Sequence, residues 1–264
     1  MIALYIVFNI LLLISFFAAG FMAAKHGDRA ADIAALSGVL ILFSQLALFF
    51  YPEIEIFIFN FADYAYFRWW GMAGAALLGG AAFKKIRGRD RIAVWIFEII
   101  IVCACSYLIW QSFFGVSDDF VELGFEEGVC RQSTDYTCAP ASCVTLLNML
   151  GIKTTEREMT RLCATQRLGS AHVNIYRGLR IMLEKNGYEV SLTRETPETL
   201  SALSVPFLTN VYLQGRVLHA VTVVRVSGAV VDIAETIRGT FMNISVADFL
   251  KCWDRLVFQV KKKK

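Results

Sequence analysis

Four apolar runs dominate residues 1–114, and each is long enough to cross a bilayer as a helix, which takes roughly 20 residues. They are Ile2 to Ala24, Ile33 to Tyr51, Tyr64 to Phe83 and Ile92 to Phe114. A single soluble core is a poor home for four such runs separated by short charged loops. The first run lacks the basic start of a cleaved signal peptide and is read as a retained anchor. The third is rich in glycine and alanine, the composition that lets helices approach closely in lipid. From residue 115 onward the composition is that of an ordinary globular domain. The sequence therefore divides into four transmembrane helices over 1–114, a linker over 115–127 and a soluble domain over 128–264.

Lysine and arginine set the expected orientation. The first loop carries Lys25 and Arg29, and the third carries Lys84, Lys85, Arg87, Arg89 and Arg91. The second loop, Pro52 to Ala62, has Glu53 and Glu55 and no lysine or arginine. Loops one and three thus read as cytoplasmic, which places the N-terminus and the soluble domain outside. A net charge of +3 and the absence of a basic helix or basic–aromatic patch argue against nucleic acid as a partner. The closing run Lys261 to Lys264 reads as a solvated tail.

Within the domain, Cys138 stands at the mouth of a helix predicted to run to about Leu150, with Gln132 six residues upstream. Free N–H groups at a helix start favour a thiolate, and a carboxamide nearby can donate to an oxyanion. Histidine is scarce: His26 falls in a loop between spans, His172 reads as a loop or helix-start residue, and His219 lies in a strand, Val217 to Val226. Asp232 and Glu235 follow on the next hairpin arm. A thiol, a base and a third group that orients the base are the parts of nucleophilic catalysis. The plain alternative is that a cysteine before a helix is a small buried apolar residue.

Thr155 is expected to cap a second helix to about Ala164, and a third spans Asn174 to Asn186. Strands are expected over Tyr188 to Leu192, Pro206 to Leu213, Val217 to Val226, Ala229 to Ala234 and Arg255 to Val260, with a helix from Ser245 to Trp253. Helices first and antiparallel strands after give an α+β domain. Setting Cys138 aside, Cys130, Cys143, Cys163 and Cys252 could form up to two disulfides in an oxidising compartment, although Cys143 reads better as a buried apolar residue. No cysteine spacing resembles a zinc site.

The segments Gln132-Ser-Thr-Asp-Tyr-Thr-Cys138-Ala-Pro-Ala-Ser, Gly169-Ser and Leu218-His219-Ala-Val-Thr-Val-Val resemble the bacteriocin-processing, double-glycine leader peptidase family. The resemblance covers about residues 128 to 262 and implies a papain-like cysteine peptidase. It implies Cys138 as nucleophile, His219 as base, Gln132 as oxyanion donor and Glu235 as the carboxylate orienting His219, with Asp232 as the other candidate. Two places differ from the family pattern: Ala139 follows the nucleophile where glycine is usual, and Glu235-Thr236 stands where aspartate-proline is usual. The best-known members act on the cytoplasmic side and carry a transporter with its ATPase. This sequence shows no GxxxxGK[ST] loop, so an exporter would be a separate partner. No metal or other cofactor is implied. The expected protein is a membrane-anchored cysteine peptidase acting on peptide or protein substrates beside a lipid bilayer. Two further readings fit the same residues: a catalytically silent peptide-binding domain, and another acyl-transfer enzyme on this scaffold.

Overall fold

The computed structural model describes residues 2–60, 64, 70–86, 90–113, 116, 120–214 and 217–263. They form two compact units, Met1–Glu55 with Asp63–Phe114, and Ile56–Ala62 with Gly115–Lys264.

Among the described residues the chain opens with helices α1 (Ile2–His26), α2 (Asp28–Phe50), α3 (Pro52–Ile58), α4 (Met72–Lys85) and α5 (Asp90–Phe113). Gly27, at φ 136°, supplies the sharp break between α1 and α2 that a side chain would resist. Close packing of α4 depends on glycine. A Cβ on Gly38 of α2 would stand 2.6 Å from the Gly74 carbonyl oxygen, and one on Gly74 would stand 2.5 Å from that of Gly38. Gly20 of α1 and Gly80 of α4 likewise leave no room for a side chain against the facing backbone. The small-residue composition of the third run thus brings three helices together.

Among the described residues, two helices are long and apolar enough to cross a membrane, over Val7–His26 and Asp28–Phe50. The third and fourth expected spans are described only in part. Of the third run, Met72–Lys85 is described as a helix of 14 residues. Its expected start, at 65–69, lies outside the described residues. The fourth forms a 24-residue helix, of which Ile92–Ile101 is described as an apolar stretch. On α1 and α2 large apolar side chains face outward: Leu11, Ile14, Leu36, Leu40 and Phe43 are all exposed.

The second unit adds β1 (Phe125–Glu126), β2 (Val129–Cys130), α6 (Cys138–Met149), α7 (Glu156–Leu162), α8 (His172–Lys185) and β3 (Tyr188–Arg194). A 3-10 turn at Pro197–Ala202 leads to β4 (Phe207–Leu213), β5 (Val217–Ser227), β6 (Val230–Glu235), β7 (Thr240–Ser245), α9 (Val246–Cys252) and β8 (Trp253–Lys262). Six strands make one antiparallel sheet in the order β3-β8-β4-β5-β6-β7. This is the α+β arrangement the sequence predicts.

Alternation along β5 divides its two faces. Val221 and Val223 join Phe207, Val231, Ile233, Phe249 and Trp253 in a buried core under α9. Thr222 turns instead to α6, where its hydroxyl donates to the Ser142 carbonyl at 3.0 Å. Three local differences from the sequence reading have physical causes. β7 is a polar edge strand, alternately half-buried and exposed, whose Thr, Asn and Ser mask its period. β8 runs further than expected because Lys261 and Lys262 pair with Glu189 and Tyr188, so the lysine run begins inside the ladder. Part of the stretch assigned as linker is packed: Phe120 is buried, its carbonyl accepts from Arg157 Nη2 at 2.6 Å, and Phe125–Glu126 pairs with Val129–Cys130.

Candidate active site

Cys138 is the first residue of α6, and Thr137 precedes it with the Ala141 N–H donating to its carbonyl at 3.0 Å. Two reciprocal bonds fix α6 to β5 one turn further on. Ser142 Oγ donates to the Ala220 carbonyl at 2.8 Å, and Thr222 Oγ1 donates back to Ser142 O. All three of these residues are buried, so each bond also satisfies a polar group that would otherwise cost about 1–3 kcal/mol. The result places the helix mouth against the strand residues next to Ala220, and His219 is one of them.

His219 lies beside the Cys138 thiol and acts to lower its pKa, and His219 Nε2 lies 3.0 Å from Glu235 Oε1. With Nε2 engaged by the carboxylate, Nδ1 is left for the thiol. Glu235 is itself fixed by the N–H groups of Ile237 at 2.8 Å and Arg238 at 3.0 Å. Burial by itself would raise the Cys138 pKa. The hydrogen bond and charge of His219, with the N–H groups of Ala220 and Ala139, outweigh it and hold the thiol below its ordinary value. Burial would lower the His219 pKa, yet its bonds to Cys138 and Glu235 raise it to about 9. Burial would raise Glu235, and the same imidazole with two backbone N–H groups lowers it instead. All three shifts favour a thiolate–imidazolium pair beside a carboxylate.

Gln132 is held at both ends of its amide. Its Nε2 donates to the Thr134 carbonyl at 2.9 Å, and its Oε1 accepts from Thr236 Oγ1 at 3.0 Å. One Nε2 hydrogen is used by Thr134, and Nε2 carries a second.

The Peptidase C39 family model matches residues 126–264. The chain belongs to the Peptidase C39 family. Solved structures that match this chain include the following three. The peptidase domain of Streptococcus ComA, a bi-functional ABC transporter involved in a quorum-sensing pathway, is 18% identical over 52% of this chain and 98% of its own, with a TM-score of 0.46. A double-glycine-motif protease from an AMS/PCAT transporter, in complex with the leader peptide, is 19% identical over 51% and 91%, at 0.45. The N-terminal peptidase C39-like domain of the toxin secretion ATP-binding protein from Vibrio parahaemolyticus is 14% identical over 50% and 100%, at 0.38. No curated protein matches the chain.

In this C39 domain the other candidates lie elsewhere. His172 bonds Asp254 Oδ2 at 3.1 Å and stacks on Phe258. Asp232 is taken by Arg225 and Asn243, and neither of its oxygens is given to His219. The described cysteines, Cys103, Cys130, Cys138, Cys143, Cys163 and Cys252, are all free thiols, which corrects the allowance for two disulfides. Burial pushes the Cys130 thiol up to about 12, helped by the charges of Glu156 and Glu122, so it is an unreactive neighbour.

Sequence reasoning missed one buried carboxylate. Glu156, the first residue of α7, accepts from Ser133 N at 2.8 Å and from Ser133 Oγ. It therefore grips the loop between Gln132 and Cys138. Its pKa is raised, mainly because burial disfavours the charge. In the sequence it stands only as the residue after a helix cap, with nothing to link it to a loop more than twenty positions earlier.

Proposed function

We propose that this C39 member is a membrane-anchored cysteine peptidase that cleaves peptide bonds, with leader peptides ending in a double glycine as its substrate class. The observation that carries the reading is the unbroken chain from the Cys138 thiol through the His219 ring to the Glu235 carboxylate. In the reaction, the Cys138 thiolate attacks the scissile carbonyl carbon and a C–S bond forms. The oxygen becomes an oxyanion, and the second Nε2 hydrogen of Gln132 is the donor for it. His219 passes its proton to the amine nitrogen, the C–N bond breaks and a thioester remains. Water, deprotonated by His219, then attacks the thioester; the C–S bond breaks and the thiolate returns.

The outward apolar faces of α1 and α2 support lipid as their surroundings, because a water-facing pair of such helices would be strongly disfavoured. With loops one and three on the cytoplasmic side, the domain lies outside the cytoplasm. The test is to incubate the full chain in detergent with double-glycine leader peptides and identify products by mass spectrometry, while a peptidyl thiol-reactive probe is mapped on the chain. Cleavage blocked by the probe, with Cys138 as the labelled residue, is the expected result. Probe labelling without any cleavage would instead leave a silent peptide-binding domain, and acyl transfer to an amine in place of hydrolysis would leave a transferase.

A further inference from the structure

Residues 235 and 236 are consecutive, and each is turned toward a different member of the site. Glu235 takes His219. Thr236, fully buried, takes Gln132 twice: the Gln132 N–H donates to the Thr236 carbonyl at 2.8 Å, and the Thr236 hydroxyl donates to Gln132 Oε1 at 3.0 Å. We propose that Thr236 is the positioning residue of the oxyanion donor, its hydroxyl holding the Gln132 amide with oxygen inward and the second Nε2 hydrogen left to serve the Cys138 site. The inference rests on the peptidase reading above and names what sets one of its parts.

A carboxamide has two ends of similar shape and opposite chemistry: the oxygen accepts and the nitrogen donates. Turned over, the same side chain would present a lone pair to the oxyanion and oppose the reaction. Thr134 chooses the sense, because its carbonyl accepts from Nε2 and would meet a second oxygen after a flip. That contact is only two residues away and moves with the loop. The Thr236 bond comes from across the fold, 104 residues on, and refers the amide to the end of β6.

The anchor is stiff. Beyond Thr236, the N–H groups of Ile237 and Arg238 donate to the Glu235 carboxylate, and the Gly239 N–H donates to the Glu235 carbonyl at 3.0 Å. One dipeptide therefore sets both the imidazole that moves the proton and the amide that meets the oxyanion. A shift in this turn would move both together and preserve their relative geometry.

Thr236→Val is the test, since it removes the hydroxyl and keeps the β-branched shape and the carbonyl that Gln132 N–H uses. Turnover of a cleaved leader peptide should fall roughly tenfold in kcat with little change in KM, a part of the roughly 100- to 1000-fold that a whole oxyanion donor supplies. Thr236→Ser should restore it. In a Gln132→Ala background, Thr236→Val should cost nothing further, because its effect passes through Gln132. The same loss in both backgrounds, or no recovery with serine, would overturn the proposal and leave Thr236 as packing.

A second measurement needs no turnover. In full chain carrying 15N-glutamine, the Gln132 side-chain amide signal, assigned by its disappearance in Gln132→Ala, should move in Thr236→Val and return in Thr236→Ser. An unmoved signal overturns the proposal whether or not the chain cleaves peptides. A moved signal in a chain without Cys138-dependent cleavage sinks the peptidase reading alone.

Discussion

His219 and Glu235 are 16 residues apart in sequence and 3.0 Å apart through Nε2 and Oε1, the one on β5 and the other at the end of the neighbouring strand β6. The carboxylate reaches the ring although it is a glutamate in a place where the family pattern has aspartate. Two backbone N–H groups fix its far end, so the longer side chain is not left to wander.

That relationship separates two carboxylates by experiment. Glu235→Gln removes the charge that supports the imidazolium and should lower turnover by about 100-fold, the scale of a misplaced catalytic group. Asp232→Asn should leave turnover near the parental rate, since Asp232 serves Arg225 and Asn243. Steady-state rates of both variants decide it; loss confined to Asp232→Asn would reverse the assignment.

Cys138→Ser and His219→Ala should each abolish cleavage while the domain stays folded, as seen by circular dichroism. Groups that act as a unit are not additive, so the double variant should be hardly worse than either single one. Substantial turnover in Cys138→Ser would remove the nucleophile from the scheme.

The pH profile follows from the signs of the shifts. The reactive state has Cys138 deprotonated and His219 protonated. Cys138 ionises below the ordinary thiol value, so the acid limb of kcat/KM lies lower than for a free cysteine. His219 keeps its proton until about pH 9, and activity should fall as pH rises through that value. The two limbs belong to the coupled pair. In Glu235→Gln the alkaline limb should move to lower pH, because the lost charge is one of the causes that hold the His219 proton. A profile with no alkaline limb would mean that the proton on His219 is not needed.

Glu156 is a stability prediction with a catalytic echo. Glu156→Ala strips the Ser133 N–H of its acceptor and should cost about 1–3 kcal/mol, seen as a lower denaturation midpoint. Glu156→Gln retains a carbonyl oxygen and should cost less while keeping turnover. Equal losses in both would show that the charge itself is needed.

Much of this was legible in the sequence because it is local. The helix beginning at Cys138, the Thr155 cap and the strand around His219 each follow from a motif of a few residues. What was hidden depends on pairings between distant positions. Glu156 meets Ser133, Thr236 meets Gln132, and Ser142 meets Ala220 across 78 residues, and no spacing rule announces any of them. β7 was hidden for a different reason: Thr240 on its inner face and the exposed Phe241 on its open face break the alternation. The glycine-rich third run is legible as close packing because its small residues stand where facing helix backbones meet.

The proposed membrane topology is tested through Cys138 itself. The seven lysines and arginines of the short loops, Lys25, Arg29, Lys84, Lys85, Arg87, Arg89 and Arg91, fall in loops one and three, and each resists translocation. The stretch after Phe114 begins with Asp118, Asp119 and Glu122 and has no base before Arg131, so it offers no such resistance. Lys261 and its neighbours lie far beyond the window near a span end in which charge directs orientation. Cys138 is partly exposed and ionises readily, which suits it to a membrane-impermeant thiol reagent. Applied to spheroplasts, the reagent should label Cys138, as mapped by mass spectrometry of the peptide that carries it, and that modification should be absent in Cys138→Ser. Labelling that appears only after the membrane is permeabilised would put the domain in the cytoplasm, and the basic loops on the opposite side from the one argued here.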